Sequence, residues 1–106
     1  MVESRVQQNI KGTNHMAALL TAQTTDTSSA TISYSTATTI MVTGVFHGAT
    51  VILEVSDDGG TTWAGVHTFE APGLETLTLN GTFSFRVRQE DSGASTSITA
   101  TYNGSA

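Results

Sequence analysis

From residue 32 to residue 102, apolar and polar side chains alternate at period two in short stretches, cut apart by Gly, Asn, Asp and Ser. A strand sends successive side chains to opposite faces, so this pattern builds sheets with one buried and one solvated face. A helix would bury every third or fourth residue. The clearest case is residues 82–89, where Phe83, Phe85 and Val87 face one way and Ser84, Arg86 and Arg88 the other. The same reading gives strands at 31–35, 39–46, 50–56, 61–69, 74–79 and 97–102, about seven in all. Only residues 15–20 offer a competing helical spacing, and that stretch is short.

The punctuation between the strands is equally specific. Asp57-Asp58-Gly59-Gly60 and Asn80-Gly81 supply the positive-φ geometry of tight hairpins. Pro72 breaks pairing because it cannot donate to a ladder. Short strands at this spacing predict an all-β fold, an immunoglobulin-like antiparallel β-sandwich of about seven strands. Residues 1–30 differ, being rich in Gln, Asn and Thr with one apolar cluster at 16–20. They are expected to form an extended N-terminal arm, leaving residues 31–106 as the sandwich. An arm crossing onto a neighbouring subunit would bury Met16, Leu19 and Leu20 there, which makes those three candidate partner contacts.

A chain of 106 residues fits one domain with one core. It has no Cys, so disulfides, thiolate zinc sites and cysteine nucleophiles are excluded. Nine acidic residues against four basic ones give a net charge of -5, which repels phosphate backbones, so no nucleic-acid partner is expected. No apolar run approaches the roughly 20 residues needed to cross a bilayer, and the N-terminal stretch lacks the apolar core of a secretory leader, so no membrane partner is expected either. Only 12% of residues are charged and Thr is the most frequent type, so outer strand faces are expected to carry hydroxyls where ion pairs are usual.

Catalysis needs a nucleophile with a base in reach, or paired titratable groups in a cleft. His15, His47 and His67 fall on the arm, a loop and a strand, with none of the short spacings of a metal site. The carboxylates of 57–58 and 90–91 belong to turns at opposite ends of the predicted sandwich and cannot share a calcium ion. Grouping 90–91 with Glu70 or Glu75 is easier, yet turn carboxylates are usually solvated. The reading is therefore of a non-enzymatic chain with no cofactor and no metal. Arg86 and Arg88 share a strand face and repel one another unless Glu54 or Glu75 on a neighbouring strand offsets them. Their other role would be as a contact patch for an acidic partner.

The most informative segment is 56–63, Ser-Asp-Asp-Gly-Gly-Thr-Thr-Trp, which matches the Ser-x-Asp-x-Gly-x-Thr-Trp pattern called the Asp-box. As a hairpin clamp it assigns structural roles. The Asp58 carboxylate accepts turn amides, Gly60 permits positive φ, Ser56 or Thr62 bonds across the turn, and Trp63 folds back as an apolar lid. In sialidases and related propellers such boxes recur once per blade; a single copy in a chain this short predicts the hairpin and leaves function open.

With Val-Ile-Leu-Glu-Val-Ser before the box, Phe-Ser-Phe-Arg-Val-Arg after it and a closing Thr-Ala-Thr-Tyr-Asn-Gly, residues 31–104 resemble small immunoglobulin-like structural proteins of tailed bacteriophages. That resemblance implies a virion location and a head decoration or cement role on the major capsid protein, or a tail or neck role among other virion proteins. Weakly charged strand faces are compatible with a homo-oligomer such as a trimer, or with a monomer seated on a lattice. A different class, carbohydrate binding, would use Tyr34, Trp63 and Tyr102 as stacking platforms.

Overall fold

The computed structural model describes residues 17–104, so Met16 lies outside the described residues. Nine strands follow in chain order: β1 (Ala17–Gln23), β2 (Thr27–Ser28), β3 (Ile32–Ser33), β4 (Thr38–Val45), β5 (Thr50–Ser56), β6 (Ala64–Phe69), β7 (Gly73–Leu77), β8 (Ser84–Glu90) and β9 (Ser97–Asn103). They form an all-β sandwich of two antiparallel sheets. One sheet runs β1-β9-β4-β7, and the other β2-β8-β5-β6, with β3 continuing the β2 edge along β8.

The period-two pattern is realised residue by residue in the four central strands. Ile40 and Val42 of β4, Val51 and Leu53 of β5, Phe85 and Val87 of β8, and Ile98 and Ala100 of β9 are all fully buried between the sheets. Burial of this kind contributes about 1.5–3 kcal/mol for each Val, Leu, Ile or Phe side chain. Gln89 continues the inward phase of β8 and is also fully buried. Its amide nitrogen donates to the Gln23 carbonyl at 3.1 Å and to the Ser92 hydroxyl at 3.0 Å, tying the end of β1 to the loop after β8.

The structure corrects the expected arm over residues 17–30; the rest of it, residues 1–16, lies outside the described residues. Residues 17–23 form β1, hydrogen-bonded to β9, and residues 27–28 pair with β8, so both segments belong to the sandwich. Leu20 is 4% exposed and belongs to the core, and Leu19 is half-buried against it, so both expected partner contacts pack within the domain. The segment shows no period-two alternation because its ladder slips twice, between Ala18 and Leu20 and between Leu20 and Gln23. Each slip changes the phase of the pattern.

A second correction concerns Asn80-Gly81, expected as a hairpin. β7 and β8 lie in different sheets, so this turn carries the chain across the sandwich. Among the described residues the turn between β5 and β6 is the only hairpin joining consecutive, mutually paired strands.

Candidate functional site

The two sheets present very different outer faces. Across β1, β4, β7 and β9 the one charged residue is Glu75. Its position in β7 is paired with that of inward-facing Ile40, and its carboxylate lies 3.5 Å from His67 Nδ1. The outward phase of these strands carries Thr39, Met41 and Thr43 of β4, opposite Asn103, Thr101 and Thr99 of β9 and, for the first two, Thr76 and Leu74 of β7. Thr39 and Thr76 hydroxyls meet at 3.3 Å across the β4–β7 pair. Met41 is 36% exposed, Val45 53% and Leu74 63%, which makes three of the four exposed large apolar residues in the described chain part of one uncharged face. Hydroxyl-covered faces follow from the threonine content, which does not locate them. The phase of β4, with Met41 between buried Ile40 and Val42, was the available signal.

The opposite face collects the charges. Glu54 on β5 pairs with Arg86 on β8 and is almost completely buried. Its two oxygens accept from Arg86 Nε at 2.8 Å and Arg88 Nε at 3.0 Å, and Arg88 Nη1 also meets the Glu90 carboxylate. One carboxylate between two guanidinium groups removes the repulsion that side-by-side arginines would otherwise suffer. Of the two partners the sequence allowed, Glu54 takes the role and Glu75 does not. Both arginines, expected as candidate contacts, are engaged within the domain.

The 56–63 turn is built as a double acceptor clamp. Asp58 Oδ1 accepts from the Ser56 hydroxyl at 2.6 Å, the Thr62 amide at 2.9 Å and the Thr61 amide at 3.1 Å. The Ser56 oxygen in turn accepts from the Gly60 amide at 2.9 Å and the Asp58 amide at 3.3 Å. Gly60 has φ of 101°, and its carbonyl receives the Trp63 indole N–H at 3.1 Å. Arg86 lies 4.2 Å from the centre of the Trp63 ring, a cation–π contact that joins the turn to the charged face.

The Ser56 hydroxyl, followed by the Thr62 amide, holds the Asp58 carboxyl well below the usual carboxylate range. Asp26 is lowered in the same direction, chiefly by the Ser92 amide, which donates to it at 2.9 Å. A carboxyl whose folded pKa is depressed stabilises fully above its ordinary value of 3.8, and that stabilisation drains away as pH falls toward the folded value. The melting temperature is therefore expected to fall on acidification from about pH 5 to about pH 2, and the gap between wild type and Asp58→Asn to narrow over the same range. A constant gap across that range would show that ionised Asp58 is not what the turn depends on.

The remaining candidates are placed as follows. Tyr34 accepts the Leu79 amide through its hydroxyl at 2.8 Å, and Tyr102 packs edge-on to Phe85 with ring centres 5.5 Å apart. Both are half-buried against the core, so the three aromatics do not form a shared stacking platform. Thr50 pairs with Glu90 while Ser56 pairs with Ser84, which sets the 57–58 and 90–91 carboxylates at opposite ends of the β5–β8 ladder. Among the described residues no three His, Asp or Glu side chains gather in a metal-binding arrangement, and no helix is long and apolar enough to cross a membrane. Comparison with family models, with curated proteins and with solved structures gives no match.

Proposed function

We propose that this sandwich is a non-enzymatic assembly protein of a virion, seating its uncharged sheet face on the outer surface of a capsid shell as a decoration subunit. The observation that carries this reading is the outer face of β1-β9-β4-β7, where Met41, Val45 and Leu74 stand exposed among threonines on strands whose one charged residue is Glu75, in the inward phase of β7. In a chain of net charge -5 this is the surface that approaches a partner with the smallest desolvation cost, since no ion has to be stripped of water. Hydroxyls at the rim of the apolar residues can exchange water for hydrogen bonds to the shell. Many copies on a lattice convert weak single contacts into firm attachment. The acidic excess, carried largely by the turn residues Asp26, Asp57, Asp58, Glu70 and Asp91, suits the outside of a DNA-filled particle.

The test uses purified empty capsids of a tailed phage that encodes the chain. Added recombinant protein is expected to co-sediment with them and to raise the temperature at which they disrupt. Leu74→Glu combined with Met41→Lys should abolish both effects while leaving the protein's own melting temperature within a few degrees, because both side chains are exposed. Ser28→Glu, exposed on β2 of the opposite sheet, should change neither. Absence of co-sedimentation and of any gain in heat resistance would sink the reading. Antibody labelling of whole virions separates a head seat from a neck or tail seat.

A further inference from the structure

At one end of the β2-β8-β5-β6 sheet, the turn after β5 and the residue before β8 enclose a cleft of about 190 Å³. It is lined by Val55, Trp63, Ala64 and Phe83 together with Thr62 and Asp57. We propose that this cleft takes a single arginine or lysine side chain from a basic protein partner.

Three observations converge on that occupant. The first is size: clefts for small-molecule ligands run to about 300–1,000 Å³, so one of about 190 Å³ accommodates a single side chain. The second is charge. Two adjacent carboxylates belong to this turn, and they are used differently. Asp58 is consumed by three donors within its own turn, whereas Asp57 is exposed, lines the cleft and engages no partner among the described residues. An unpaired carboxylate beside aromatic walls is complementary to a cation, and a neutral guest would leave it unmatched. The third is precedent within the molecule: Trp63 already carries the Arg86 guanidinium at 4.2 Å, and Arg86 is not part of the cleft wall. The ring thus already serves as a cation platform, and it also lines the cleft. The net charge of -5 adds long-range attraction for a basic partner. The site lies on the other sheet from the uncharged face and stands whether or not that face seats on a shell.

Trp63 is the only tryptophan of the chain, so its fluorescence reports the cleft directly. Hexa-arginine amide titrated into the full-length protein at low salt is expected to change the emission saturably. Asp57→Asn should weaken that binding about five-fold, the upper end for a solvent-facing ion pair. Asp91→Asn removes the same charge at the opposite end of the sheet and should leave the affinity essentially unchanged, which separates the cleft from general attraction to an acidic protein. Melting curves confirm that both variants stay folded. No saturable change with hexa-arginine would overturn the proposal, as would equal weakening by the two substitutions. A response to a neutral oligosaccharide such as maltoheptaose without one to hexa-arginine would overturn it too, and would make the cleft a sugar site.

Discussion

Replacing Leu20 by aspartate is expected to unfold the domain at room temperature. Leu20 is 4% exposed and sits in the core cluster with Ile40, Phe85 and Ile98, carried there by the pairing of β1 with β9. Truncation to alanine removes the transfer free energy of the buried atoms and leaves a cavity, together about 2–5 kcal/mol. A domain of this size has a total stability of about 5–15 kcal/mol, so the alanine variant folds with a much reduced margin. Aspartate adds the desolvation of a carboxylate among apolar neighbours, which exceeds what remains. Far-ultraviolet circular dichroism and urea denaturation of the two variants check this. An arm lying outside the domain would give no change in either, so a wild-type denaturation midpoint for Leu20→Asp would return residues 17–23 to the role expected from sequence.

Gly44→Ala is expected to cost about 4 kcal/mol, from two separable sources. The residue sits in β4 opposite Ile98 with φ of 111°, a region that side chains other than glycine rarely enter. A Cβ at this position would also overlap the Ser97 carbonyl oxygen and approach Ile98 Cα to 3.1 Å, both of them backbone atoms of the partner strand. Neither atom can move aside without opening the β4–β9 ladder. Gly48→Ala provides the contrast: φ is 94°, yet nothing lies within 4 Å of the added carbon. That variant should lose only the strain contribution, about 1–2 kcal/mol. Equal losses in the two, measured by urea denaturation, would mean that the close approach of β4 and β9 at Gly44 is not part of the fold.

Much of the domain is legible in the amino-acid sequence. The strand at 50–56 coincides with β5, and those expected at 39–46, 74–79, 82–89 and 97–102 fall within two residues of β4, β7, β8 and β9 at each end. The 56–63 turn was legible to the level of individual bonds, because its partners lie within four residues of one another and the geometry is local. The pairing of Arg86 and Arg88 with Glu54 was legible as one of two alternatives, since strand phase places a charge on a face and leaves its neighbour across the sheet open. β1 was not legible, and the cause is specific. Two register slips and the positive φ of Ala22, at 42°, break the period on which strand recognition rests.

What the sequence by itself determined is therefore the face of each regular strand and the chemistry of its local turns. Both follow from the alternation of Cβ directions and from hydrogen bonds that span a few residues. Only the tertiary structure decided which strands share a sheet. Alternation is the same whether the chain after Asn80-Gly81 turns back into its own sheet or crosses to the other, and the choice is made by contacts remote in sequence, such as β9 between β1 and β4. That choice leaves Met41, Val45 and Leu74 together on an uncharged face, and it brings Phe83 to Trp63 and Asp57. The features on which function is proposed are thus products of sheet assembly, assembled from residues that local pattern alone could not bring together.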